Sequence, residues 1–148
     1  MNIKFKGRAI LPGNLSGEAV VTKTGFNTLA SFYKALLTDS KKAVCSDQDN
    51  PQLFGKDLRD RIICLPISIG STSAGATWDR VSNRGLAPKA MLFSRAIDSL
   101  TAAGLIIACL WAGKHIVAVD RLGERFLEKV ADGDKISVRE DGTVIVLR

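Results

Sequence analysis

The chain has 148 residues, 46% of them hydrophobic, with 21 Lys and Arg against 15 Asp and Glu and a net charge of +6. That is enough apolar material for one domain, residues 1–148, with a core that needs no staples, and it excludes disorder. The cations stand singly among acids, with only Lys41-Lys42 adjacent, so the charge describes a solvated surface or a patch facing an acidic partner and provides no nucleic-acid stripe.

No apolar run reaches the roughly 18 residues of a membrane span. The N-terminus alternates as a strand and carries no leader, so a cytoplasmic protein is expected. Cys45, Cys64 and Cys109 are odd in number and widely spaced, which indicates free thiols in a reducing compartment. Without a CxxC pair or a second histidine they make a poor metal set. Cys45, in a polar stretch, is expected to be the accessible one.

Taken in chain order, residues 3–10 and 17–23 predict two strands joined by a Pro12-Gly13-Asn14 turn and paired as neighbours. Leu29, Phe32, Ala35 and Leu36 fall at helical spacing and predict a helix over 28–38. A polar loop runs from Asp39 to Phe54, and its Asp47 and Asp49 suit either solvated acids or a site. Arg61 to Leu65 reads as a buried strand stopped by Pro66. A helix over 73–83, capped by Gly85, a strand over 90–94, a short helix from Ile97 to Ala103 ending at Gly104, and a third buried strand over 105–110 follow. Strands alternating with helices in this way predict a partly parallel sheet covered on both faces. Lys114 to Val119 reads as a further strand and Leu122 to Val130 as a short helix or turn. Two alternating runs around Asp141-Gly142 close the chain as a hairpin.

Chemistry is best sought in the loop Pro66 to Thr77, where Ser68, Ser71, Thr72 and Ser73 gather with Gly70 and Gly75 between a strand end and a helix start. The unpaired N–H groups of a helix N-terminus attract anions. Three roles are open: helix capping by Ser71, Thr72 or Ser73, binding of a carboxylate or phosphate, and general-base catalysis by Ser71 with its alkoxide held by nearby donors. The loop carries no Gly-Lys-Ser/Thr, G-x-G-x-x-G or G-x-S-x-G pattern. The single histidine, His115, stands far from it in sequence.

Along nearly the whole chain, Gly7-Arg8-Ala9, Gly17-Glu18-Ala19-Val20-Val21, Asn50-Pro51-Gln52-Leu53-Phe54-Gly55, Ile62-Ile63-Cys64-Leu65-Pro66, Gly70-Ser71-Thr72, Leu86-Ala87-Pro88-Lys89-Ala90 and Asp141-Gly142-Thr143-Val144 occur in an order that resembles the small subunit, or swivelling domain, of aconitase X dehydratases. The resemblance implies a β-rich α/β fold of swivelling β/β/α type, with a mixed sheet and short crossover helices. It implies a hydro-lyase subunit active only with a large subunit. Ser71 would be the general base, Gly70, Thr72 and Ser73 would contact substrate, and an iron or iron–sulfur cofactor would sit on the partner, with no metal in this chain. The substrate would be a small hydroxy acid, cis-3-hydroxy-L-proline first and phosphomevalonate as the alternative; neither nucleic acid nor membrane is an expected partner.

The stretch from Asn27 to Cys45 and the loop ending Ser73-Ala74-Gly75-Ala76 depart from the family's usual pattern. Two other classes stand beside this reading. A phosphohistidine carrier of similar fold would need a histidine where Ala74 follows Ser73, and a scaffold protein would work without chemistry.

Overall fold

The computed structural model describes residues 1–70 and 73–148. The strands are β1 (Ile3–Lys6), β2 (Arg8–Leu11), β3 (Leu15–Val21), β4 (Phe26–Asn27), β5 (Ile62–Leu65), β6 (Ser68–Ile69), β7 (Ala90–Phe93), β8 (Val117–Asp120), β9 (Lys135–Val138) and β10 (Thr143–Leu147). The helices are α1 (Thr28–Leu37), α2 (Ala74–Asn83), α3 (Ser99–Ala112) and α4 (Glu124–Lys129).

Eight strands form one mixed sheet in the order β1-β10-β9-β3-β5-β7-β8-β2, and β4 pairs with β6 apart from it. β3, β5, β7 and β8 are parallel, while β1, β10 and β9 on one side and β2 on the other run antiparallel to their neighbours. The two outermost strands, β1 and β2, are joined by Gly7 alone. In a flat eight-stranded sheet those edges would lie about 34 Å apart at ~4.8 Å per strand, whereas one residue bridges only about 7 Å. The sheet is therefore rolled toward closure, and Gly7 N–H extends the β1–β10 ladder by donating to Gly142 O at 3.0 Å.

This roll replaces the expected pairing of residues 3–10 with 17–23. The first run is broken at Gly7 and its halves go to β10 and β8, while β3 lies between β9 and β5. Local turn chemistry favoured a hairpin; burial of β3 on both sides by more distant strands won.

Strand periodicity of two divides the core. Ala19, Val21, Ile62, Cys64, Ala90, Leu92, Val117 and Val119 face the rolled interior with Phe5, Phe126, Ile136, Val144 and Val146. Val20, Ile63, Leu65, Met91, Phe93 and Ala118 face the helices, meeting Phe32, Trp78, Val81, Leu105 and Ala108. The expectation that the central strands are covered on both faces is met, with every residue of β5, β7 and β8 buried.

The short helix and third strand expected over 97–110 are a single helix, α3. Asp98 starts it, its Oδ2 accepting from Thr101 N–H at 2.9 Å and its Oδ1 from the Thr101 hydroxyl at 2.7 Å. The stop is Gly113, at φ 69°. Gly104 instead marks the crossing with α2, since a Cβ there would lie 2.8 Å from Gly75 Cα.

Candidate functional site

The loop after β5 lies at the carboxyl edge of the parallel strands, the edge where open α/β sheets bind ligands. Pro66 ends β5, and the chain then makes β6, which runs parallel to β4 with Phe26 opposite Ser68 and Asn27 opposite Ile69. Phe26 N–H donates to Ile67 O at 2.9 Å. Gly70 follows at φ 110°, a conformation that favours glycine, and a Cβ on it would come within 2.9 Å of Asn27 Oδ1. That same Oδ1 caps α1 by accepting from Ala30 N–H at 3.1 Å. The start of the serine loop is thus set against the N-terminus of α1.

Ser71 and Thr72, expected as general base and substrate contact, lie outside the described residues. Ser73 occupies the N-cap of α2, but its side chain makes no cap bond; its carbonyl accepts from Thr77 N–H at 3.1 Å and Thr77 Oγ1 at 3.2 Å. Of the three hydroxyls expected as possible caps, Ser73 is corrected: it sits in the helical region of backbone space (φ −73°, ψ −4°), whereas a capping side chain usually extends from β-region backbone.

Aromatic packing fixes the elements around the loop. Trp78 of α2 stacks on Phe26 at 6.4 Å between centroids and meets Phe32 of α1 edge-on at 5.6 Å. All three rings are fully buried. β4, α1 and α2 therefore hold the two ends of the loop in one rigid cluster.

Beside Asn27 opens a cleft of about 460 Å³ bordered by Leu29, Tyr33, Ser46, Asp47 and Asp49. The structure thereby brings Asp47 and Asp49 of the polar loop to the α1 terminus. Asp47 is mostly buried and its Oδ1 accepts from Asp49 N–H at 3.0 Å. The following Asn50 is a structural tie: its Nδ2 donates to the buried Thr22 hydroxyl at 3.0 Å and its Oδ1 accepts from Leu53 N–H at 3.2 Å.

The neighbouring strand ends contribute groups that the sequence did not single out. Ser94 N–H donates to Leu65 O at 3.0 Å and Arg95 N–H to Pro66 O at 3.4 Å, while Arg121 N–H donates to Arg95 O at 3.0 Å. Arg95 and Arg121 thus stand at the edge that carries the loop, and the Arg95 guanidinium pairs with Glu124, Nε to Oε1 at 3.2 Å. The buried hydroxyls of Ser68 and Ser94 have no hydrogen-bond partner among the described residues. Asn27 could have been found, because an Asn just before a helical apolar pattern is an N-cap signal. Arg95 and Arg121 had no such signal, since only the parallel pairing brings their strand ends together.

Asp120, also at this edge, is fully buried and forked onto Arg8, with Nε to Oδ1 at 3.0 Å and Nη2 to Oδ2 at 2.8 Å. Ile97 N–H adds a third bond at 2.8 Å. Burial works to raise its pKa, but the hydrogen bonds from Arg8 and Ile97 and the charges of Arg8 and Arg121 prevail and leave it below the ordinary carboxylate value.

His115 precedes β8 and so lies at the opposite edge of the parallel strands, away from the loop. Its Nε2 bonds Pro12 O at 2.6 Å, so that nitrogen carries the proton and Nδ1 faces Cys109 Sγ at 3.6 Å. The expectation for the thiols reverses: Cys45 and Cys64 are buried and Cys109, on α3, is half-exposed. The polar loop folds over Cys45, with Cys45 N–H donating to Lys56 O at 2.8 Å. Among the described residues no three His, Cys, Asp or Glu side chains cluster to hold a metal ion, and no helix is long and apolar enough to cross a membrane.

The aconitase X swivel domain family matches residues 4–147. The phosphomevalonate dehydratase small subunit of Aeropyrum pernix is 32% identical over 98% of this chain and 94% of its own length. The cis-3-hydroxy-L-proline dehydratase of Hypocrea jecorina is 31% identical over 80% of this chain, which corresponds to 18% of that longer protein. The structure superposes on Thermococcus kodakaraensis aconitase X (holo form) with a TM-score of 0.81 at 24% identity, covering 99% of both chains. Its relatives are named dehydratases, and the name small subunit implies a larger partner. With that family model matched along almost its whole length, the chain belongs to the aconitase X swivel domain family.

Proposed function

We propose that the chain, acting as one swivel domain over residues 1–148, is the small subunit of a two-part hydro-lyase that dehydrates a small hydroxy acid, with Ser71 as general base. The observation that carries this reading is the position of Gly70 at φ 110° against the α1 cap, on the carboxyl edge of the parallel strands. Two described anchors, Gly70 and the start of α2 at Ala74, bracket Ser71. The Ser71 oxygen takes the proton from the carbon beside the substrate carboxylate. That electron pair becomes the new double bond and the C–O bond to the departing hydroxyl breaks. Gly70, Thr72 and Ser73 contact the substrate, and Arg121 supplies positive charge for its anionic groups. An iron or iron–sulfur group, held by the large subunit, would supply Lewis-acid assistance to the leaving hydroxide.

The first substrate to test is cis-3-hydroxy-L-proline. Phosphomevalonate is the second, favoured by the name of the Aeropyrum pernix relative. The experiment is co-expression with the large subunit encoded in the same genome and assay of both compounds. Ser71→Ala is expected to lower kcat by about 10²- to 10⁴-fold while the complex persists. An intact complex with full activity would show that the base lies elsewhere.

A further inference from the structure

Surface helices bury one stripe and present charge on the other; α2 follows that rule with Asp79 and Arg80, and α1 sets Lys34 between its exposed Tyr33 and Leu37. α3 breaks it. Its 14 residues, Ser99–Ala112, include no charged side chain. Thr101, Gly104, Leu105 and Ala108 face α2 and the sheet. The opposite face carries Leu100 (50% exposed), Ile106 (43%), Leu110 (74%) and Trp111 (76%). These fall within about half the helix circumference at 100° per residue, so they form one continuous apolar surface and not scattered exposures. Tryptophan is among the side chains most enriched in binding hot spots, and Trp111 is the most exposed residue of this surface.

We infer that the outer face of α3 is the surface by which this chain docks onto the large dehydratase subunit. The inference rests on the reading given under Proposed function. Two observations select this occupant over a second copy of the chain. In the Hypocrea jecorina protein the matching segment is only 18% of the whole, so a swivel domain of this family occurs covalently joined to a much larger body. Further, α3 begins at the carboxyl edge that carries the serine loop, where Ile97 N–H bonds Asp120 and Gly104 abuts Gly75 in the first turn of α2. A partner seated along α3 therefore reaches that edge at Leu100, while Leu110 and Trp111 extend its footing toward the far edge of the strands. The recognising surface on that partner is apolar and uncharged, since α3 offers it neither charge nor salt bridge.

The test is co-expression of the tagged chain with the large subunit, comparing wild type, Ser71→Ala and the double variant Leu110→Glu/Trp111→Glu. Both altered α3 side chains are mostly solvent-exposed, so the isolated double variant is expected to keep its circular dichroism and Tm. A gel-filtration run of each isolated chain accompanies the pull-down. The expected result is an equimolar complex for wild type and Ser71→Ala, and at least a tenfold loss of bound large subunit for the double variant. A Leu110→Phe variant should retain binding. A folded double variant that binds as wild type does overturns the inference and leaves the proposed function standing. An isolated wild-type dimer that the double variant turns into monomer, with the large subunit still bound, also overturns it and assigns the face to a second copy. Wild type that fails to bind the large subunit at all overturns the proposed function and this inference together.

Discussion

Asp120 shows how a single side chain connects two strands and a turn at the site edge. Its carboxylate takes two bonds from Arg8 and one from Ile97 N–H, so β2, β8 and the turn before α3 share one anion. Asp120→Asn is expected to cost about 1.5–3 kcal/mol, the range for hydrogen bonds to a charged group. Because the folded pKa lies below the unfolded one, this stability is complete above about pH 4 and is lost as pH falls through the folded value. The Tm gap between wild type and variant should therefore close in acid; a gap unchanged from neutrality to pH 2.5 would count against the ion pair. The cysteines give a second check. Burial pushes the Cys45 and Cys64 thiols up, and only Cys109 is half-exposed. Native labelling with iodoacetamide followed by peptide mass spectrometry should modify Cys109 about tenfold faster than either of the others.

Among the elements, α2 and α3 determine whether the serine loop is held. They cross where Gly75 and Gly104 face each other, and Trp78 secures α2 against β4 and α1. Alanine is the better helix former by about 1 kcal/mol, yet Gly104→Ala would place a Cβ 2.8 Å from backbone. The expected net effect is a loss of about 1–3 kcal/mol in urea melts, with a fall in dehydratase activity as the first turn of α2 shifts. Increased stability would show that the crossing is loose. The helix α3 was also the element that sequence reading mistook. Its β-branched Ile106-Ile107 run and internal glycine look like a helix end and a strand, because a glycine required by a partner helix cannot be told from a stop until that helix is placed. By contrast α1, α2, β5, β7 and the closing hairpin were legible, since caps, periodicity and turn residues for them are local.

At the scale of the whole molecule, closure depends on the two ends of the chain. β10 lies between β1 and β9, and the last residue is tied to the first turn of the chain, with Met1 N donating to Arg148 O at 3.1 Å and Arg148 N–H to Asn2 Oδ1 at 3.2 Å. Deleting residues 143–148 removes Val144 and Val146 from the rolled interior and leaves β1 without a partner. Loss of the cooperative urea transition is expected; a truncated chain that still melts cooperatively would mean that the seam is dispensable.

The sequence by itself determined the fold class, the family, the serine loop between a strand and a helix, and the strands whose alternating or wholly apolar runs record how they are buried. These are local properties, written in composition, spacing and turn chemistry. Tertiary structure alone decided that residues 3–10 divide between two edges, that Gly104 is a crossing and not a stop, that Cys45 is covered, and that Asn27, Arg95 and Arg121 border the loop. Each of these depends on which distant segments meet, and pairing at long range is set by the summed burial of the sheet and helices, which no local stretch contains. The loop with which Ser71 is expected to work was visible as chemistry in the sequence; its setting, against a cap of α1 and beside a helix with an apolar outer face, came from the fold.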